Sequence, residues 1–233
     1  VIVPAHSRPP TLPLREVMAR ALALLARNVS IVVPGLVAGF FTGVVSATLT
    51  PQNDDVDVAS LAAQTAVLIA ETIATILSIA YTTGMADAAW ERGRARFADG
   101  AQAFRREGSH VFVALVILAV FGTIAALLVP YTIGLSVVVL AFFCVYAMPA
   151  AVVGRRSGVQ AIIESGEIAV ERALPTSLMI VGIAVIVVIV GQLAVLLDVV
   201  PYVGPIVRQV VVQTTIVYAM LVIVGEYRQL RLP

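Results

Sequence analysis

Ile31-Val-Val-Pro-Gly35-Leu-Val-Ala-Gly39-Phe-Phe-Thr-Gly43-Val-Val-Ser-Ala47-Thr-Leu49 is an uncharged, almost wholly apolar run in which a small residue returns at every fourth position. On a helix, Gly35, Gly39, Gly43 and Ala47 share one face and leave a smooth groove along it. Such a groove admits the backbone of a neighbouring helix, and in hydrocarbon that van der Waals contact replaces the hydrophobic drive that lipid does not supply. Glycine is common in membrane helices in general. It is the register of three glycines with a fourth small residue that predicts a helix on which others pack.

The rest of the 233 residues agrees in kind: 60% are hydrophobic, 12% are charged and the mean hydropathy is +1.01. That composition belongs to a membrane protein and not to a soluble domain of this size. Runs of the roughly 20 residues needed to cross about 30 Å of hydrocarbon occur six times, near 30–49, 59–84, 110–129, 132–153, 177–197 and 206–225. None alternates with a period of two, which argues against a β-barrel. The expected fold is an all-α polytopic bundle of six transmembrane helices.

Every basic residue is an arginine, and their placement orients the chain. Arg8, Arg15, Arg20 and Arg27 precede the first span; Arg92, Arg94, Arg96, Arg105 and Arg106 lie between the second and third. Arg155, Arg156 and Arg172 lie between the fourth and fifth, and Arg228 and Arg231 follow the sixth, leaving Arg208 alone on the opposite side. The positive-inside rule then places both termini in the cytoplasm. Residues 1–13 hold prolines and Arg8 but no apolar core of signal-peptide length, so the first span is expected to direct insertion. Cys144, the single cysteine, lies inside the fourth span and leaves no internal disulfide or cysteine-based metal cluster to consider.

Ahead of the first span, 14–29 has Leu14, Val17, Met18, Ala21, Leu22 and Leu25 on one stripe, with Arg15, Glu16, Arg20 and Arg27 largely outside it. Such a helix is expected to lie in the membrane interface, and Pro34 predicts a kink just beyond it. A second interfacial segment, 85–106, sets Trp90, Phe97, Ala101 and Phe104 against Arg92, Arg96, Asp99 and Arg106, with a break at Asp99–Gly100 where Asp99 caps a new turn. In a third, 157–173, Val159, Ile162, Ile163, Gly166 and Val170 face lipid or core, while Gln160, Glu164, Glu167 and Glu171 face water. One unit therefore recurs three times: a cytoplasmic interfacial helix, a span out, a short turn and a span back. The units are 14–84, 85–154 and 155–233, in a single membrane domain with 1–13 as a tail. The loop 50–57 carries Asp54, Asp55 and Asp57 without the glycine turn and distal glutamate of a calcium loop, and reads as a solvated external turn. The turns at 129–132 and 198–205 are short enough to make tight hairpins. Asp198 and Arg208 are placed to pair across the last, and Tyr131 and Tyr202 fit an outer aromatic belt.

The passage Tyr146-Ala-Met-Pro149-Ala-Ala-Val-Val153-Gly-Arg-Arg-Ser157-Gly-Val-Gln-Ala161-Ile-Ile-Glu-Ser165, followed by another span, resembles a broad bacterial and archaeal group of six-helix membrane proteins. That group includes the membrane domain attached to some glycerophosphodiester phosphodiesterases. In it a proline ends one span, a small and charged stretch follows, and a helix with alanine and serine four apart leads into the next span. The resemblance implies a six-helix layout in a bacterial or archaeal cytoplasmic membrane. It implies no catalysis, because the soluble phosphodiesterase barrel has no counterpart in these residues. Gly154, Arg155 and Arg156 stand where that group often has an acidic residue.

Glu71 is the one ionisable residue well inside a span, where an unpaired charge costs about 3 kcal/mol or more. It is expected either to serve a proton or ion pathway or to be a neutral carboxyl bonded to Thr72, Tyr218 or a backbone carbonyl. Thr42, Gln64, Gln192 and Gln213 fall at nearly one level in the outer half, either fixing helix register through interhelical hydrogen bonds or lining a small polar cavity. His110, at the cytoplasmic mouth of the third span, is a candidate pigment ligand in a photosynthetic assembly. With His6 alone it makes no zinc site. No phosphate-cradling glycine loop, HExxH or GxSxG occurs, and the arginine clusters read as membrane-facing charge and not as a nucleic-acid patch.

The expectation is a non-enzymatic integral membrane protein with no catalytic or metal-binding residues. It would act as an accessory or structural subunit of a larger membrane complex, or as a lipid-organising component. Its partners would be the bilayer, bound lipid, and another membrane protein or a second copy of itself. The alternative is a small transporter or channel centred on Glu71 and the outer polar layer.

Overall fold

A computed structural model describes residues 12–49, 58–132, 134–196 and 203–231. The tail with His6, the acidic loop 50–57, the Asp198 side of the last turn and Tyr202 lie outside the described residues, as does the Gln64 side chain. Every regular element among the described residues is helical: α1 (Leu14–Arg27), a 3-10 turn (Val29–Val32), α2 (Val33–Leu49), α3 (Val58–Arg92), α4 (Phe97–Leu127), α5 (Val129–Thr132), α6 (Leu135–Cys144), α7 (Ala147–Val152), α8 (Gly158–Glu171), α9 (Ala173–Val195) and α10 (Val203–Arg231). Five stretches are long and apolar enough to cross a membrane: Val29–Thr48, Thr65–Arg92, Leu135–Val152, Ala173–Val195 and Val203–Arg231. The run expected to be the third span falls on the apolar end of α4 and on α5.

The helix ends follow local chemistry. α1 stops at Asn28, whose side-chain amide donates back to Leu24 O at 2.9 Å, a competition with the backbone that makes asparagine a poor interior helix residue. The chain bends there, before Pro34, which sits harmlessly in the first turn of α2; the expected kink at Pro34 is thus replaced by a break at Asn28. Arg172, between α8 and α9, has nearly the same backbone conformation (φ −126°, ψ 46°) as Asn28 (φ −128°, ψ 63°). An amphipathic helix followed by a bend and a long apolar helix therefore occurs twice.

The middle unit departs from this scheme. No residue between 97 and 127 breaks the helix, so the polar segment 97–110 runs straight into the apolar one as α4. The break lies at Gly93 (φ +73°) and not at Asp99–Gly100. Asp99 does act at a helix start, its Oδ2 accepting from Arg96 N–H at 2.8 Å, the return bond of a capping box. Residues 85–106 are thus the abutting ends of two long helices, joined where a Cβ on Gly84 would lie 2.5 Å from Ala103 Cβ and one on Gly100 2.7 Å from Tyr81 O.

Pro149 explains another break. Its ring clashes with the carbonyl four residues back and ends α6 at Cys144, and at the break the Tyr146 N–H donates to Ser165 Oγ at 3.0 Å. Ala161 and Ser165, the four-apart pair singled out in the sequence, are both fully buried on the face of α8 that meets this break.

α10 is the centre of the bundle, touching α1, α2, α3, α7 and α9. Its residues 219–227 are buried without interruption, the pattern of a helix enclosed on all sides. α1 lays Val17, Ala21 and Leu24 inward at i, i+4 and i+7, while Leu22, expected on the inner stripe, is 58% exposed. α8 corrects a second expectation. Glu164 does not face water but lies on the buried face with Ala161, Ser165 and Ile168, and Val159, Ile163 and Val170 point outward.

Candidate functional site in the glycine seam

α2 and α10 run antiparallel with almost no space between them. A Cβ on Gly35 would lie 2.6 Å from Val217 Cγ2, one on Gly39 2.6 Å from Val210 Cα and 2.8 Å from Gln209 O, and one on Gly43 2.5 Å from Ile206 Cα. Three successive glycines of the quoted stretch thus meet three successive turns of α10, and the medium-sized residues Ile206, Val210 and Val217 fill the groove. Ala47, the fourth member of the stripe, is half-buried.

α3 lies parallel to α10 on the adjoining side, and here the polar groups of the spans meet. Gln209 Nε2 donates to Glu71 Oε1 at 3.4 Å, and one turn further Gln213 Nε2 donates to Thr75 Oγ1 at 2.7 Å. The two pairs form because both helices repeat their polar residues at i and i+4, the spacing that stacks side chains on one face. Glu71 therefore has an amide partner on another helix, and Arg208 adds a coulombic attraction to it.

Of the four residues expected at one level, Gln64 has its side chain outside the described residues, and the other three have different surroundings. Thr42 is buried and donates to its own helix at Gly39 O, 3.2 Å away. Gln192 is exposed on the outer surface of α9. Gln213 is buried, its Nε2 engaged by Thr75 and its Oε1 without a partner among the described residues. Depth along a span does not fix azimuth, and the rotation of α2, α9 and α10 points Thr42, Gln192 and Gln213 in different directions.

Toward the arginine-rich end the same helices are locked by side chains that periodicity did not reveal. Trp90 Nε1 donates to Leu221 O at 2.8 Å, its ring rests where Gly225 has no side chain, and Arg20 of α1 covers it at 4.9 Å from the ring centroid, a cation–π contact. Asp87 of α3 pairs with Arg228 of α10. Glu164 of α8 accepts from Tyr227 OH at 2.9 Å and from Arg156 Nε at 2.6 Å, with Arg231 Nε 3.8 Å away. A polar cleft of about 300 Å³ between α3 and α4 is bordered by Asp87, Glu91 and Asp99 and by Arg92, Arg106 and Arg155. At its rim, burial pushes the Asp99 carboxyl up, but the hydrogen bond from Arg92 at 2.9 Å, the Arg96 N–H and both positive charges outweigh it and hold it below the usual carboxylate range. His110, the candidate pigment ligand, sits on α4 with Nδ1 3.3 Å from Glu107 Oε2. Among the described residues no group of three or more His, Cys, Asp or Glu is arranged to hold a metal ion.

Chemically, the seam offers close packing and two amide bridges, with ion pairs at its arginine-rich end. Comparison with protein families, with characterised proteins and with solved structures finds no match to this chain.

Proposed function

We propose that this chain is a non-enzymatic, six-span membrane protein that works by packing, as an accessory subunit of a larger membrane assembly or as a lipid-organising component. Five spans are the helices already described, and the apolar end of α4 is the sixth, with both termini in the cytoplasm. The observation that carries this reading is α9. It is the most apolar of the five candidate spans, with a mean hydropathy of 2.9, yet only 11% of it is buried. Leu174, Leu178, Val181, Val185 and Val188 recur at alternating steps of four and three on its exposed surface, and Gln192 continues the series. An amide on a lipid-facing stripe gains from a partner helix that bonds to it. The chain uses two other span amides, Gln209 and Gln213, internally and presents this one outward.

The proposed topology has a direct check. Reporter fusions after Arg106 and Arg172 are expected in the cytoplasm and one placed within 53–57 outside; a reversed hairpin would overturn the arrangement.

A second reading, a small transporter or channel, is favoured by one feature: Glu71 is only partly buried and its amide bond is long at 3.4 Å. Under the packing reading, Glu71→Gln keeps the shape and a hydrogen-bonding partner for Gln209, so folding and assembly are expected to change by less than about 1 kcal/mol. Parent and variant reconstituted in liposomes are expected to show no proton or ion flux. Flux in the parent that vanishes in a well-folded Glu71→Gln protein would replace packing with transport.

A further inference from the structure

The loop between α3 and α4 is held in one place by side chains from the junction of α1 and α2. Asn28 Nδ2 donates to Gly93 O at 3.2 Å, Asn28 Oδ1 accepts from Ala95 N–H at 2.9 Å, and Ser30 Oγ donates to Ala95 O at 3.2 Å. Gly93 supplies the left-handed turn, φ +73°, that a side chain disfavours. The clamp holds the loop that carries Arg94 and Arg96 against the α1–α2 junction, where Arg27 ends α1, and all three arginines are exposed. They stand at the arginine-rich end of an open groove of about 430 Å³ between α2 and α3, bordered by Val33, Val37, Phe41, Leu77, Tyr81 and Phe97. Val33 and Phe97 join the two features: each borders the groove, Phe97 directly follows Arg96, and Val33 lies three residues beyond Ser30.

The groove is lined by apolar side chains along two candidate spans, which suits an acyl chain. What stands over its end is set by charge. Asp99 is taken by Arg92 at 2.9 Å and by Arg96 N–H at 2.8 Å, and among the described residues neither Arg27 nor Arg94 has a carboxylate in ion-pair contact. We propose that the α2–α3 groove holds one chain of an anionic phospholipid whose phosphodiester is bound by Arg27, Arg94 and Arg96. Basic pockets at the cytoplasmic ends of transmembrane helices suit such headgroups. A zwitterionic lipid would bring an ammonium group that the three guanidiniums repel. The inference adds a ligand class to the packing reading and rests only on its membrane-spanning part.

The test is to titrate the full chain, in a neutral detergent, with phosphatidylglycerol or with phosphatidylcholine of the same acyl chains, counting bound lipid by native mass spectrometry. The parent is expected to bind one phosphatidylglycerol more tightly than phosphatidylcholine. The double variant Arg94→Gln with Arg96→Gln is expected to lose on the order of tenfold or more of that affinity and to leave phosphatidylcholine unchanged. Val37→Trp, at a position 63% exposed and so tolerant of a larger residue, is expected to block the groove and weaken phosphatidylglycerol with the arginines intact. Trp90 emission checks that the double variant is folded, and far-ultraviolet circular dichroism does so for Val37→Trp. Equal binding of the two lipids by the parent, undiminished phosphatidylglycerol binding by the folded double variant or by Val37→Trp, or displacement of the lipid by soluble glycerol phosphate would each overturn the proposal. Any of these together with the expected reporter topology would leave the packing reading standing.

Discussion

Gly39→Leu is expected to destabilise the bundle by about 3 kcal/mol or more, at the upper end of what overpacking a close contact costs. The clash begins before the leucine branches. Even a methyl at this position lies 2.6 Å from Val210 Cα and 2.8 Å from Gln209 O, and both are backbone atoms of α10, so no rotamer change relieves it. Leucine is the better helix former by nearly 1 kcal/mol, which offsets a minor part of the loss. Forcing α10 away from α2 also stretches the Gln209–Glu71 and Gln213–Thr75 bridges, because the same turns of α10 carry both contacts. Trp90 is the single tryptophan and is 9% exposed against α10, so its emission reports on this joint. The expected result is a lower thermal midpoint in detergent and a red-shifted Trp90 emission. Val37→Leu, two residues away and outward-facing, is expected to behave as the parent. A Gly39→Leu protein with the parent's midpoint and emission would mean that α2 and α10 do not meet as described.

Glu164→Ala is expected to cost about 2–4 kcal/mol, most of it from the Tyr227 hydroxyl left without an acceptor in a buried site. Tyr227 is 1% exposed and water does not replace the lost carboxylate there. The Arg156 side of the same carboxylate is different. That guanidinium is 57% exposed, so its share is screened by solvent and small. The two parts separate by salt: the difference in thermal midpoint between parent and Glu164→Ala is expected to shrink only slightly on raising ionic strength. Glu164→Gln, which keeps one acceptor for Tyr227, is expected to recover at least half of the loss. A salt-sensitive difference, or an isosteric variant no better than alanine, would move the weight from the buried hydroxyl to the surface ion pairs.

How far these features were legible in the sequence depends on whether their cause is local. The glycine face was readable because a helix repeats every fourth residue, whatever it packs against. Its occupant was not, since Ile206, Val210 and Val217 form an ordinary apolar stripe with nothing to mark them as the complement of a groove in a distant helix. Glu164 was read as water-facing because a carboxylate among Gln160 and Glu167 looks like a polar face. The groups that make its burial tolerable, Tyr227 and Arg231, belong to another helix. The middle unit was read as broken at Asp99–Gly100, but glycine only weakens a helix, and Asp99 placed three residues after Arg96 starts one. The sequence holds one signal for this pairing: Glu71 and Thr75 repeat the i, i+4 spacing of Gln209 and Gln213, a match that pairs α3 with α10.

The union of α2 with α10 also sets a schedule. Gly39 and Val210 are separated by roughly 170 residues of chain, and at about 5–20 residues per second of synthesis the glycine groove is made on the order of ten seconds or more before the helix that closes it. Under the proposed six-span topology, the glycine face of α2 waits through that interval without the helix that closes it, and a native contact so distant in sequence is slow to form.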